Sequence, residues 1–169
     1  MAAADAQARS IPRPRPAEAA FRQLIRTIGF LERAMQPCFA RFGITGAQWG
    51  VLRNLHRAEA EGRPALRLTD LSERLLIRPP SVTGVVDRLV RSRLVARTGS
   101  AADLRVKRVS LTPRGRQLVE RMLSVHAAHV EAVMEALTPA EQEKLQGLLG
   151  RLEHHLDGLL ANGGILADV

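Results

Sequence analysis

At 169 residues, with 46% apolar side chains and a formal net charge of +8, the chain is long enough to bury a core and too apolar to stay disordered. Aromatic residues make up only 3% and Tyr is absent, so the core must be built from Leu, Val, Ala and Ile, and the stacking rings of single-strand binders are scarce. A single cysteine excludes an internal disulfide, no run approaches the roughly 20 apolar residues of a membrane span, and the N-terminus lacks the apolar core of a signal peptide, which together predict a cytoplasmic protein.

Charge is unevenly placed. Lys and Arg outnumber Asp and Glu 11 to 4 over residues 69–116, but are outnumbered 3 to 8 over residues 117–169. The basic stretch predicts a polyanionic partner, and the scarcity of aromatics points to double-stranded DNA.

Residues 1–16 are rich in Ala, Arg and Pro and read as an extended basic arm, either a disordered tail or a contact to DNA phosphates. From Ala17 the residues Phe21, Leu24, Ile25, Ile28, Leu31 and Met35 recur at helical spacing up to about Phe42, with Pro37 as a kink and Gly43 as the stop. Cys38 reads as a small core hydrophobe; a sensing thiolate would need a cation beside it. A second helix over residues 45–58 has Thr45 as cap, Gln48 to complete a capping box, and Ile44 and Trp49 as a hydrophobic staple. Trp49, Arg53 and His56 lie at i, i+4 and i+7 and project together. They read either as staple and surface or as the aromatic wall, cation and titratable donor of a pocket for a small aromatic anion.

After a polar loop over residues 59–65, Leu66-Arg67-Leu68 predicts a short strand, and Thr69 caps a helix to residue 77 with Leu71, Leu75 and Leu76 on one face. A turn at Arg78-Pro79-Pro80 leads to a helix over residues 81–93. Val82, Val85, Val86, Leu89 and Val90 form its apolar face, and Ser81, Gly84, Arg88 and Arg91 the other. That outer face is small and polar, then cationic, as insertion N-terminus first into a major groove requires. Ser81 and Thr83 can meet base edges or phosphates, Gly84 permits close approach, and Arg88 reaches a guanine or a phosphate. Residues 94–98 and 106–111 are β-rich and bracket a polar tip over residues 99–105, as a hairpin does. The predicted fold is mainly α: a winged helix-turn-helix with a two-stranded wing, plus N- and C-terminal helices forming a dimerisation lobe.

The stretches Thr69-Asp70-Leu71-Ser72-Glu73-Arg74-Leu75, Ser81-Val82-Thr83-Gly84-Val85-Val86-Asp87-Arg88-Leu89, Asp103-Leu104-Arg105 and Leu111-Thr112-Pro113-Arg114-Gly115 together resemble the MarR family of bacterial transcriptional regulators over roughly residues 20–160. The resemblance implies that Arg105 enters the minor groove and that Asp103 orients it, an arrangement suited to the negative potential of a narrow groove. The rival reading is a turn-stabilising surface ion pair. Lys107 joins these as a candidate DNA contact.

Thr112 and Pro113 open a helix to about Ala136, apolar along Leu118, Met122 and Val125 and along Val119, Leu123 and Val130. Thr138-Pro139-Ala140-Glu141 is a further capping box, opening a helix with Leu145, Leu148, Leu149, Leu152, Leu156, Leu159 and Leu160. These faces exceed what one small winged helix can cover and predict a homodimer, as the resemblance also implies. The expected organisation is an arm (1–16), N-terminal dimerisation and supporting helices (17–58), the DNA-binding lobe (59–112), C-terminal dimerisation helices (113–162) and a flexible tail (163–169).

No phosphate loop, dinucleotide fingerprint or nucleophile elbow is present, so no enzyme and no cofactor is expected. The reading is a regulator of a palindromic operator, a repressor for which the resemblance implies relief by a small phenolic or other aromatic ligand. The alternatives are a zinc-type sensor using His126 and His129, with Glu131 or another residue completing the site, and a non-specific DNA-architectural protein.

Overall fold

The computed structural model describes residues 15–75, 79–100 and 103–162, with side chains described except at positions 79, 80, 100 and 103–107. Of the arm expected over residues 1–16, residues 1–14 lie outside the described residues, as does the tail over residues 163–169, while Arg15 caps and Pro16 opens the first helix. The chain falls into two compact units, the first ending at Gly46 and the second beginning at Ala47.

The first unit is built on helix α1 (Pro16–Ala40), which has a proline in its first turn and Glu18 where a carboxylate meets the positive helix end. The helix continues through Pro37, and only Cys38 and Phe39 are buried along it. Gly43 ends it in a left-handed conformation (φ 67°): its N–H donates to the Ala40 carbonyl, and the Ile44 N–H to Phe39. Burial pushes the Cys38 thiol pKa up, against the pull of Arg41, the direction of a core side chain and not of a reactive thiolate. By contrast Phe21, Ile25, Ile28, Phe30 and Leu31 stay exposed.

In the second unit, helix α2 (Gly46–Ala60) buries Trp49, Val51, Leu52, Leu55 and Ala58. It ends as α1 does: Gly62 (φ 77°) donates to Glu59, and Arg63 to Ala58. Strand β1 (Leu66–Arg67) leads directly into helix α3 (Leu68–Leu75), which packs on helix α4 (Pro79–Arg91). Strands β2 (Val95–Ser100) and β3 (Asp103–Leu111) follow, then the long helices α5 (Pro113–Met134) and α6 (Pro139–Ala161). The sheet is antiparallel in the order β1-β3-β2, so the expected two-stranded wing carries a third strand on the outer edge of β3. Leu66 pairs with Val109, and Arg67 with Arg108.

Three local expectations change. Thr69 does not cap α3, because Leu68 is already helical; Asp70 accepts the Arg67 backbone N–H at 3.0 Å, the returning half of a capping box. The turn expected at Arg78-Pro79-Pro80 is taken over by α4, which starts at Pro79; a first helical turn has no use for the N–H groups that proline lacks. That helix ends at Arg91 and not at Arg93. Arg93 adopts φ 58° and donates to Val90, while Leu94 donates to Leu89, the same terminating motif as at Gly43 and Gly62 but without glycine.

Val82, Val85, Val86 and Leu89 of α4 are buried, as are Leu71 of α3, Val95, Val109 and Leu111 of the sheet, and Leu118, Val119 and Met122 of α5. Each such aliphatic side chain stabilises the fold by about 1.5–3 kcal/mol on burial. Helix α6 is different. Its capping box is complete, the Glu141 N–H donating to the Thr138 hydroxyl and the Glu141 carboxylate accepting the Thr138 N–H at 2.8 Å, yet it buries no residue in the single chain.

Candidate nucleic-acid interface

The two sides of α4 are opposites. Its valines and Leu89 anchor one side in the core, while Ser81, Arg88 and Arg91 are exposed on the other, with Thr83 and Gly84 half-buried between. A methyl group added at Gly84 would meet nothing within 4 Å, so that part of the face is open. Neither Arg88 nor Arg91 forms an ion pair among the described residues, which leaves both guanidinium groups available to an external anion. Of the five residues of this helix singled out in the sequence, three are thus exposed and two half-buried. Asp103, Arg105 and Lys107 fall on β3, in the wing as expected, but their side chains lie outside the described residues.

Sequence reasoning missed how the wing is fixed to α4. Arg97 of β2 reaches Asp87 of α4, Nη2 to Oδ1 at 2.7 Å. Asp87 would otherwise present a carboxylate beside the cationic face; paired with Arg97 it is neutralised and ties the second helix to the wing. Only the alternation of β2 hints at this, since Arg97 lies in the row of Leu66 and Val109, the core side of the sheet.

The base of the wing explains the motif Leu111-Thr112-Pro113-Arg114-Gly115. Thr112 caps α5 by accepting the Gly115 N–H at 3.0 Å, and its own hydroxyl lies 2.8 Å from the Arg93 carbonyl and 3.1 Å from that of Leu94. Its backbone N–H also donates to Leu94. A Cβ at position 115 would stand 2.0 Å from the Leu94 carbonyl oxygen, so the approach of α5 to β2 requires glycine. The end of α4, the start of the wing and the first turn of α5 thus share one hydrogen-bonded corner.

Elsewhere in this unit, carboxylates pair with several arginines. Glu59 takes two hydrogen bonds from Arg116 Nε at 2.8 and 2.9 Å and one from Nη2 at 2.6 Å. The Arg116 hydrogen bonds hold the Glu59 carboxyl below the ordinary range, with smaller help from the charges of Arg116 and His56. Glu61 pairs with Arg57 at 3.1 Å, with Arg74 at 3.3 Å and with Arg63.

The suspected small-molecule group is divided. Trp49 is buried and its ring lies against His126 of α5, centroids 5.1 Å apart; its indole Nε1–H has no hydrogen-bond acceptor among the described residues. Burial lowers the His126 pKa, and the charges of Arg53 and His129 lower it further. Arg53 is exposed, whereas His56 stands beside the Glu59–Arg116 pair. His126, which the sequence considered only with His129, thus joins Trp49, and the charge of Arg53 reaches it. Of the two residues suspected of metal binding, His129 has its Nδ1 2.9 Å from the Val125 carbonyl, and among the described residues no group of three His, Cys, Asp or Glu side chains is placed to hold a metal ion.

A helix pair with an exposed polar and cationic face, tied to a β-wing, defines a winged-helix DNA-binding protein. Residues 42–105 match the family model described as MarR family. The chain is 26% identical to the HTH-type transcriptional regulator PecS of Dickeya dadantii over 134 residues, 79% of each protein. Bordetella bronchiseptica BpsR, whose DNA binding is regulated by 6-hydroxynicotinic acid, is 28% identical in a structure that superposes with a TM-score of 0.73, covering 83% of this chain and 97% of BpsR. The S. aureus MepR–DNA complex superposes with a TM-score of 0.72 at 26% identity, covering 80% of this chain and 97% of MepR. In sequence and fold the chain is thus similar to DNA-binding transcriptional regulators of the MarR family. No helix among the described residues is long and apolar enough to cross a membrane.

Proposed function

We propose that the protein is a homodimeric, cytoplasmic repressor that occludes a palindromic operator and is released by a small aromatic anion. The observation that carries sequence-specific reading is the outer face of α4, where Ser81, Arg88 and Arg91 stand exposed on a helix whose opposite side is locked into the core. In this reading residues 59–112 meet DNA, with Asp103, Arg105 and Lys107 acting from the wing, while residues 17–58 and 113–162 dimerise. Dimerisation is supported by the exposed Leu148, Leu149, Leu152, Leu156 and Leu160 of α6, because an apolar stripe of that length on a helix with no buried residue calls for a partner. Two such protomers would place two α4 helices on successive major grooves about one turn apart. Ligand control is supported by BpsR and by the Trp49 indole N–H, a buried donor that an acceptor group on a ligand would satisfy, with Arg53 supplying the cation. Release would be a population shift with a coupling of about 1–3 kcal/mol.

Fluorescence anisotropy of the protein on the DNA upstream of its own gene and on scrambled duplex, with aromatic carboxylates added, tests this reading. Preference for the first duplex, a loss of about 1–3 kcal/mol with relaxed preference at one position per half-site in Arg88→Ala, and loss of ligand response alone in Arg53→Ala are the expected outcomes. Equal affinity for both duplexes in the wild type would replace this reading with an architectural one.

A further inference from the structure

The sheet carries a second cationic feature that no DNA-reading role given above uses. Arg67 of β1 and Arg108 of β3 are direct cross-strand partners, and Arg108 is in turn the partner of Thr98 on β2. Cross-strand partners project to the same face of a sheet. The neighbouring row, Leu66, Val109 and Arg97, faces the other way: Leu66 and Val109 are buried, and Arg97 turns to Asp87. Arg67, Arg108 and Thr98 therefore form one outward row across all three strands, and all three are exposed.

Two arginines directly opposite one another repel and destabilise the pairing unless an anion lies between them. Other arginines have carboxylate partners, Arg116 with Glu59 and Arg97 with Asp87, while Arg57, Arg63 and Arg74 share the single charge of Glu61. Among the described residues neither Arg67 nor Arg108 has a carboxylate partner. Arg108 Nη1 also donates to the carbonyl of Ala65, the residue before β1, at 3.4 Å, so its guanidinium reaches across to that strand. Two forked cations and a hydroxyl in one row match the oxygens of a phosphodiester. The row adjoins the Gly99–Lys107 pair, where the regular ladder of the wing ends, so it stands beside the hairpin tip.

We propose that Arg67, Arg108 and Thr98 form a phosphodiester-binding row on the outward face of the wing sheet, gripping the DNA backbone that borders the groove entered by the wing. The inference rests on the DNA-binding reading of the wing, and it assigns these residues to affinity without base choice.

The test is anisotropy across a salt series on scrambled duplex, which needs no knowledge of the operator. Wild type, Arg67→Gln, Arg108→Gln, the double variant, Arg67→Lys with Arg108→Lys, and Arg63→Gln are compared. Each Gln change in the row should reduce the slope of log affinity against log salt by about 0.9, and the double variant by about 1.8, while the Lys pair keeps the wild-type slope. Arg63→Gln removes the same charge from a guanidinium already paired with Glu61 and should leave the slope unchanged. Melting midpoints of the row variants should equal or exceed that of the wild type, because a like-charge contact is relieved. Wild-type slopes in both single Gln variants, with wild-type DNA binding intact, would overturn the proposal and turn the row towards an acidic protein partner. Absence of wild-type binding to any duplex at low salt would overturn both this inference and the DNA-binding reading beneath it.

Discussion

Replacing Gly115 by alanine tests whether the corner joining α4, the wing and α5 is as tight as its geometry indicates. The added Cβ would lie 2.0 Å from the Leu94 carbonyl oxygen, inside the 3.0 Å limit that real Cβ atoms respect, and 3.3 Å from Leu111 Cδ2. Relief requires a movement of about 1 Å, and the atom in the way is backbone, held by the Thr112 N–H and its hydroxyl. Losing those two hydrogen bonds costs about 1 kcal/mol each, and the overpacking that remains costs about 1–3 kcal/mol, so the expected destabilisation is about 3–5 kcal/mol. That is a large share of a total of about 5–15 kcal/mol. Urea unfolding followed by circular dichroism, at one fixed protomer concentration because a dimer's stability depends on it, reads the change directly. Gly84→Ala is the internal control: its Cβ meets nothing within 4 Å, so the better helix former should stabilise by about 1 kcal/mol. A Gly115→Ala midpoint indistinguishable from wild type would refute the steric argument, and with it the explanation of why glycine follows Leu-Thr-Pro here.

Arg93 sits at φ 58° where the equivalent ends of α1 and α2 have glycine, so Arg93→Gly should stabilise the protein by about 1 kcal/mol in the same urea assay. The Glu59–Arg116 pair predicts a pH dependence. Glu59 has a folded pKa below its unfolded value of about 4.3, so its stabilisation is present above that value and is lost as pH falls through the folded one. Between about pH 6 and about pH 3, wild type should therefore lose more stability than Arg116→Met, and equal losses in the two proteins would remove the pair from the acid response.

Element order was readable because it is written in local signals. The Thr138 and Glu141 capping box, the stop at Gly43 and the spacing of Val82, Val85, Val86 and Leu89 each depend on residues a turn or two apart, and each is where the sequence put it. Boundaries slipped where two local signals competed. Pro79 and Pro80 mark a turn and also suit a helix start, and the helix prevailed because packing of its valines on α3 rewards an earlier beginning. The pairings Arg97 with Asp87, Glu59 with Arg116 and Trp49 with His126 join side chains from different elements, and no periodicity records which of several arginines meets which carboxylate. The partner of β1 was hidden for the same reason: two residues carry too little pattern to choose an edge.

The Glu61 carboxylate, shared among Arg57, Arg63 and Arg74, bears on how fast such a protein finds its target. Formal charge is a poor measure of stickiness when one carboxylate is shared by three guanidinium groups. A regulator that gripped every stretch of duplex with all of its arginines would dwell on the wrong sequences and slide slowly, since indiscriminate attraction rises with each phosphate neutralised. On the reading proposed above, cations partly offset by Glu61 and, among the described residues, left without an ion pair on α4 and the outward sheet row would favour the orientation in which α4 meets the groove. It follows from that reading that a chain without Glu61 would bind more DNA while choosing less well among sites.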